Sequence, residues 1–309
     1  MSPEMTTTAT APALVMGPVL FNWPVDRWAD FLAHVADEVD VDRVHVGEVV
    51  CSKREPFYAD RLPEVIERLQ RGGKTVVVDT LALVTVKRER QLVADLAALD
   101  GVEIEINDLT PLATLEPGRR FAVSPLVNVY NEGTLGWLAA RGAWSVCLPP
   151  ELPMASVSVL AKEGARLGVE TQVLAFGRLP LAISGRCYHA RVHGLAKDSC
   201  RYVCAEDPDG LEVDTLDGEA FLAVNGVQTM SQDCATVIGE TEALVTAGVN
   251  AFRLSPQTGD MKAVTATFRD RLAGRIDDGE ALARLAAAEL EVPLGPSMTS
   301  RAWVAAKAG

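Results

Sequence analysis

The feature that most constrains the fold of this chain is a regular alternation of short β-rich runs with helical patterns. Several of the β-rich runs are apolar at nearly every position, as strands buried on both faces of a parallel sheet are. There are eight such runs: Leu14–Leu20, Arg43–Gly47, Thr75–Leu81, Val102–Ile106, Phe121–Ser124, Trp144–Leu148, Val169–Ala175 and Asn250–Leu254.

The segments between the runs carry apolar residues at helical spacing. Trp28, Leu32 and Val35 recur on one face of a predicted helix, and Gly72 ends another. Strand–helix alternation predicts right-handed βαβ units, and eight strands predict an α/β fold of the TIM type, a (β/α)8 barrel. A doubly wound open sheet is the alternative, but its G-x-G-x-x-G loop is missing after the first strand.

One section interrupts this rhythm. Residues 177 to about 232 contain no clear helical pattern, yet they hold three of the six cysteines and two of the four histidines. A strand pair is predicted there, with Tyr202–Val203 beside Leu211–Val213. We interpret the section as a functional insertion between the last two strands of a single barrel domain, residues 14–309, which follows a disordered tail at residues 1–13.

Charge and hydropathy argue against several classes of function. The net charge is −13 and the isoelectric point about 4.8, so a phosphate backbone would be repelled and no nucleic-acid partner is expected. No run of about 18 apolar residues occurs, so no transmembrane segment is predicted. The first dozen residues lack the features of a secretory signal. We therefore expect a cytoplasmic protein whose cysteines are thiols or metal ligands.

Three cysteines lie close together in the insertion. Cys187, Cys200 and Cys204 form a C-x12-C-x3-C pattern, and the C-x3-C pair lets two sulfurs converge on one metal centre. Structural zinc and cubane clusters both take four ligands. Cys51 is the best candidate for the fourth, because it follows the second strand and the loops after barrel strands share one face.

Spacing alone leaves the metal open. His189 and His193 lie near Cys187, and mixed Cys/His sets suit zinc, so iron–sulfur and zinc fit almost equally well. A set of unrelated buried thiols is the third alternative. Cys147, inside an apolar run, and Cys234, at the predicted start of a helix, are interpreted as packed core thiols.

Other polar residues form secondary candidates. Glu103 and Glu105 share one face of the fourth strand and are predicted to be exposed or inside the barrel rather than a catalytic pair. Asn128, Tyr130 and Asn131 follow the fifth strand, at the ligand-binding face of a barrel. No G-x-S-x-G or H-E-x-x-H motif occurs, which argues against serine hydrolases and zincins.

The segments around these residues resemble a known family. From about Gly17 to its end, the chain resembles the collagenase-like peptidase family, in particular its branch for anaerobic ubiquinone biosynthesis. For that branch the word peptidase is historical and implies no activity. The segments that carry the resemblance are Gly47-Glu-Val-Val-Cys-Ser-Lys-Arg54, Phe176-Gly-Arg-Leu-Pro-Leu-Ala-Ile-Ser-Gly-Arg-Cys187, Val224-Asn-Gly-Val-Gln-Thr-Met-Ser231 and Arg253-Leu-Ser-Pro-Gln257.

The resemblance implies a cofactor, a partner and a pathway. It implies a heterodimer with a homologous subunit, in which each chain carries a 4Fe–4S cluster and the pair supports oxygen-independent hydroxylation of a ubiquinone precursor. Prephenate is the expected oxygen source. A cluster whose four positions are all filled by thiolates suits electron transfer. Carried over to this sequence, the ligands are Cys51, Cys187, Cys200 and Cys204.

Three cations flank these cysteines. Lys53, Arg54 and Arg186 are candidates to stabilise an anionic cluster or to bind an anionic oxygen donor. Two other functions stay open. One is a zinc- or other metal-dependent hydrolase or peptidase, which rests only on the family name. The other is a non-catalytic partner subunit whose cluster stabilises its fold.

Overall fold

All eight β-rich runs form strands of one sheet in the computed structural model, which describes residues 11–288 and residue 290. The described residues contain eleven strands: β1 (Ala13–Met16), β2 (Arg43–Val46), β3 (Thr75–Asp79), β4 (Glu103–Ile106), β5 (Phe121–Val123), β6 (Ala143–Leu148), β7 (Glu170–Ile183), β8 (Leu211–Asp214), β9 (Ala220–Asn225), β10 (Gln228–Thr236) and β11 (Ala251–Leu254).

Eight of these strands close into a barrel. β1 to β7 pair in sequence order and in parallel. β11 pairs in parallel with both ends of this series, with Ala251 opposite Ala13 of β1 and opposite Gln172 of β7. The prediction of a TIM-type (β/α)8 barrel is therefore confirmed.

The helices between the strands bury the apolar stripes seen in the sequence. Trp28, Leu32 and Val35 are all buried on α1. Gly72 ends α3 where a Cβ atom would lie 2.5 Å from the carbonyl oxygen of Ala36 on α1, so the two helices pack closely. The helices are α1 (Val25–Glu38), α2 (Glu55–Tyr58), α3 (Leu62–Arg71), α4 (Lys87–Ala97), α5 (Glu132–Ala139), α6 (Met154–Leu167), α7 (Tyr188–Val192), α8 (Thr241–Ala247), α9 (Met261–Leu272) and α10 (Asp278–Ala286).

The insertion grows out of β7. This strand continues past its parallel barrel pairings to Ile183 and pairs antiparallel with β10, which pairs with β9, which pairs with β8. The antiparallel extension and α7 lie between the seventh and eighth barrel strands, as expected. The segment therefore starts from the carboxyl end of a barrel strand, the end at which barrel enzymes build their sites.

Three local expectations for this section are wrong. Tyr202–Val203 is not a strand, because Tyr202 has a φ of 58° in the left-handed region, and Leu211–Asp214 pairs with β9 instead. Cys234 does not begin a helix but lies in β10 opposite Arg178, where sheet pairing satisfies its backbone. A short helix, α7, forms where none was expected.

The described residues stop short of both ends of the chain. Residues 1–10 of the predicted tail and residues 291–309 lie outside the described residues. The Ala/Leu-rich stretch after Asp277 begins with α10. No helix in the described part of the chain is long and apolar enough to cross a membrane.

The centre of the barrel is charged and buried. Arg253 donates from Nη1 to Glu105 Oε1 at 2.8 Å, and His45 Nδ1 lies 3.1 Å from Asp79 Oδ2. All four side chains are at most 4% exposed. Glu105 is thus inside the barrel, whereas Glu103, at the start of β4, is only half-buried. Burial raises the pKa of Asp79 to about 6 and lowers the pKa of His45 well below its usual value, which leaves Arg253 as the cation of this centre.

Replacing Arg253 with methionine tests this role. Arg253→Met leaves the Glu105 carboxylate buried without its cation, and removing one partner of a buried pair costs about 3–5 kcal/mol. We expect that loss in the free energy of unfolding by urea. The matched control is Arg166→Met, whose bidentate pair with Glu163 is exposed, so its loss should be much smaller. Equal losses in the two variants would contradict the assignment.

Candidate functional site

Cys51 lies in a loop whose backbone N–H groups are bound by a buried carboxylate. Glu48, directly after β2, accepts the backbone N–H groups of Val50 and Cys51 on Oε1, both at 2.8 Å. Such a local turn satisfies the loop backbone and fixes the direction of the Cys51 side chain, which is half-buried. Burial raises the pKa of the Cys51 thiol, against the opposing effects of the Lys53 N–H and the Arg54 charge.

The three cysteines of the insertion lie on two tight turns. Cys187 caps the amino end of α7, with its Sγ 3.4 Å from the Ala190 N–H, and its thiol donates to the Gly226 carbonyl at 3.2 Å. Cys200 and Cys204 flank two consecutive left-handed residues, Arg201 and Tyr202, with φ of 52° and 58°. This reversal of the backbone turns the C-x3-C segment back on itself.

All four predicted cysteines line one cavity, which we call the thiol cavity. It lies between the loop after β2 and the insertion, and neither a histidine nor a carboxylate lines it. Cys147 and Cys234 lie elsewhere and are fully buried, as expected of core thiols. The residues that line the thiol cavity are Cys51, Lys53, Arg54, Cys187, Lys197, Cys200, Tyr202, Val203, Cys204 and Gly226.

The spacing of the thiols bears on the kind of metal centre. No three cysteine sulfurs among the described residues all lie within 4.8 Å of one another. A tetrahedral zinc ion with Zn–S bonds of about 2.3 Å brings its sulfur ligands to about 3.8 Å from one another. The thiols are therefore spread more widely than a single zinc ion requires.

Arg54 is the buried cation of the site. Its side chain is 1% exposed, and it donates to the Leu20 carbonyl at 3.2 Å and to Asn225 Oδ1 at 2.6 Å. Glu48 Oε1 is 4.0 Å away. Burial alone would lower the pKa of Arg54, but Glu48 and the sulfur of Cys204 raise it. The guanidinium thus places a permanent positive charge beside the thiols.

The other predicted cations differ in their surroundings. Lys53 Nζ donates to the carbonyls of Lys197 at 2.8 Å and Asp198 at 3.0 Å, so it fastens the insertion to the loop after β2. Arg186 is exposed and does not line the thiol cavity. Lys53 and Arg54 therefore meet at the cavity without Arg186, and the buried Nε–H of Arg54 has no hydrogen-bond partner among the described residues.

Sequence reasoning missed the polar residues that support the thiols. Asn22 donates from Nδ2 to Cys204 Sγ at 3.3 Å, and Asn225 donates to the Cys204 carbonyl at 3.0 Å. The Asn225-Gly226 pair had a visible signal, since Asn-Gly between two strand patterns is a strong hairpin indicator, and it does join β9 to β10. Asn22 carried no signal because its contact with Cys204 spans distant parts of the sequence.

A second cavity opens at the mouth of the barrel, and we call it the barrel-mouth cavity. It combines apolar walls with a few polar groups. Arg178 and Arg253 line it, and each has a buried Nε–H without a hydrogen-bond partner among the described residues. An apolar cluster that includes Val49 and Val50 forms part of its wall and packs against Cys51 and other cysteines of the thiol cavity. The two cavities are therefore neighbours.

The secondary candidates after β5 do not join either cavity. Asn131 caps α5 by accepting the Thr134 N–H at 2.9 Å. Tyr130 is exposed and donates its hydroxyl hydrogen to Glu151. Asn128 takes the left-handed conformation that ends a 3-10 turn. These three residues thus make local structural contacts and line neither of the two cavities.

A family comparison agrees with this architecture. The family model described as Peptidase family U32 matches residues 26–290, which include seven of the eight barrel strands, the insertion and all four cysteines. The chain belongs to peptidase family U32.

Similar solved structures are distant from this U32 protein. An orotidine 5'-monophosphate decarboxylase from Methanocaldococcus jannaschii is 9% identical with a TM-score of 0.40, over 86% of this chain and 97% of that one. A GH10 endoxylanase from a sugarcane soil metagenome is 8% identical with a TM-score of 0.37, over 57% of this chain and 72% of that one. The assignment of the barrel therefore rests on the strand pairings.

A glycine substitution tests the close packing around Arg54 in this U32 protein. A Cβ atom at Gly226 would collide with Arg54 Nη2 and lie 3.2 Å from its Cζ. We expect Gly226→Ala to lower the free energy of unfolding by about 1–3 kcal/mol more than a glycine substitution without a clash. The control is Gly274→Ala, at an almost identical φ of 67° with nothing within 4 Å. Urea denaturation measures both, and equal losses would show that Arg54 is not held tightly.

Proposed function

We propose that this U32 protein is the iron–sulfur subunit of an oxygen-independent hydroxylase complex in ubiquinone biosynthesis. In this proposal it is similar to UbiV (YhbV), acts in the cytoplasm and forms a heterodimer with a UbiU-like homologous subunit. The observation that carries the proposal is the convergence of four cysteines on one cavity beside the buried Arg54. The cysteines are those that the resemblance assigns as 4Fe–4S ligands: Cys51, Cys187, Cys200 and Cys204.

The residues of the thiol cavity fit an iron–sulfur cluster. Four thiols and no other metal-binding side chains line it, and cysteine thiolates are the usual ligands of such clusters. Their spacing is wider than zinc requires. The cation Arg54 and the N–H donors of Asn22 and Ala190 lie beside the sulfurs, where they would offset negative charge and raise the reduction potential.

The chemistry of the complex then divides between the two cavities. A bound 4Fe–4S cluster supplies one-electron transfer. With all four positions held by thiolates it has no open site, so the substrates bind elsewhere. The barrel-mouth cavity is the proposed place for an anionic oxygen donor such as prephenate or for the ubiquinone precursor. There Arg178 and Arg253 offer unpaired Nε–H groups, and the apolar walls exclude water.

Exposed apolar side chains support a protein partner. Of thirteen large hydrophobic residues exposed in the described part of the chain, five belong to the insertion. Grouped exposed apolar side chains commonly mark an interaction site, and these five belong to the segment that carries three of the cavity cysteines. The partner subunit would cover this face: Leu181, Tyr188, Val192, Leu216 and Phe221.

The alternative functions rest on less. A metal-dependent hydrolase or peptidase has the family name in its favour, but within the thiol cavity the metal ligands offered by the described residues are the four cysteines. A non-catalytic subunit with a structural cluster uses the same four cysteines. It differs from the main proposal in that the redox state of the cluster would not affect product formation.

Anaerobic complementation tests the proposed function. The chain and its homologous partner are expressed in a bacterial host that lacks its own pair, and ubiquinone is measured after growth without oxygen. We expect wild type to restore ubiquinone and Cys200→Ala to reduce it by at least about tenfold, because a lost ligand removes the cluster. Cys234→Ala, which alters a buried thiol outside the cavity, is the control and should retain function.

Two outcomes would contradict the proposal. One is unchanged ubiquinone with Cys200→Ala. The other is turnover of casein or peptides by the purified chain that survives Cys51→Ala, which would favour the peptidase. Unfolding of Cys200→Ala is excluded by comparing its circular dichroism spectrum with that of Cys234→Ala.

A further inference from the structure

A second group of potential metal ligands lies beside the thiol cavity but outside it. His189 and His193 are four residues apart on and at the end of α7, and Asp207 follows the turn that carries Cys204. One ligand atom from each lies within 4.8 Å of the other two. His189 is fully buried, Asp207 is half-buried and His193 is exposed. The group thus has a fixed inner end and an end open to solvent.

The hydrogen bonds of His189 determine which ring nitrogen can bind a metal. Its Nδ1 lies 3.1 Å from the Val224 carbonyl oxygen, and a carbonyl can only accept, so Nδ1 carries a hydrogen. In the neutral ring Nε2 then has a free lone pair. An Nδ1–H bond to a backbone carbonyl is the usual orientation of a metal-ligating histidine.

The Nε2 atom of His189 faces a carboxylate. Asp207 Oδ2 is 3.0 Å away, and Nε2 has no hydrogen-bond partner among the described residues. Two acceptors at this distance repel each other unless a proton or a metal ion lies between them. The His193 ring stacks on His189 at a centroid distance of 5.5 Å, which brings a third potential ligand to the same place.

A similar group of potential metal ligands lies at the barrel centre. His45, Asp79 and Glu105 form the other such group among the described residues. There the guanidinium of Arg253 donates to Glu105 and lies 3.5 Å from His45 Nε2, so a protein cation already fills the role. No cationic side chain makes an ion pair with Asp207 within the described residues except His189 itself. The second group has no lysine or arginine partner in the described part of the chain, so the place between its ligand atoms is open to a metal ion that competes with a proton.

We propose that His189, His193 and Asp207 bind a single divalent transition metal ion of the zinc class, separate from the thiol site. Two imidazoles and a carboxylate suit zinc or ferrous iron. With three protein ligands the ion keeps at least one open position, where water or a substrate oxygen can bind. His189 lies two residues after Cys187 and Asp207 three after Cys204, so the two centres share their supporting segments.

Metal binding by the tag-free chain tests this site. The protein is purified without oxygen and without a histidine tag, dialysed against buffered Zn2+, and analysed for zinc and iron in the same sample. We expect about one tightly bound zinc per chain that is independent of the iron content. His193→Ala should weaken zinc binding by at least about tenfold. Because His193 is exposed, this variant should remain folded.

Controls separate this site from surface binding and from the thiols. His34→Ala removes an exposed histidine on α1 that pairs with Glu38 and should leave zinc binding unchanged. Co2+ bound in place of zinc should give a visible ligand-field spectrum without a thiolate charge-transfer band. Zinc binding that is equal in wild type and His193→Ala, or cobalt with sulfur ligation, would overturn the proposal. The inference does not rest on the proposed function, since iron and zinc are read separately.

Discussion

The buried guanidinium of Arg54 is the contact on which the site depends. It joins the carbonyl of Leu20 after β1, the side chain of Asn225 in the β9–β10 turn and the carboxylate of Glu48 after β2. An arginine keeps its charge in proteins, and a buried charge without partners is costly. These three segments therefore stay together, and the sulfur of Cys204 is held beside the same charge.

The barrel supplies the frame that lets Arg54 act across such distant segments. Parallel strands bring the loops after β1 and β2 to one rim, and β7 carries the insertion to that rim by continuing beyond the barrel. Gly177 allows this exit, with a φ of 124° and a position where a Cβ atom would lie 2.6 Å from Ser255 Cβ. Deep inside the barrel, Arg253 neutralises the charged centre. Arg54 and Arg253 therefore both have structural partners before any ligand binds.

The sequence was sufficient for the features that repeat or cluster locally. Apolar runs at regular intervals predicted all eight barrel strands, and the C-x3-C pair drew attention to the insertion. Features set by long-range contacts were not predictable. The sequence predicts a strand at Tyr202, but the turn gives this residue a left-handed conformation. The sequence also predicts a helix that begins at Cys234, but this residue pairs with β7. The burial of Arg54 depends on three segments, and only the closed barrel brings these segments together.

Iron and acid-labile sulfide analysis of the anaerobically purified chain tests the central claim, that four thiols around one cavity hold a single cluster. The account predicts about four iron and four sulfide per wild-type chain, with full content retained when a core thiol is replaced in Cys147→Ala or Cys234→Ala. A chain that holds zinc in place of iron, or iron that persists when the cavity thiols are removed, would contradict it. The variants that should each lose most of the iron are Cys51→Ala, Cys187→Ala, Cys200→Ala and Cys204→Ala.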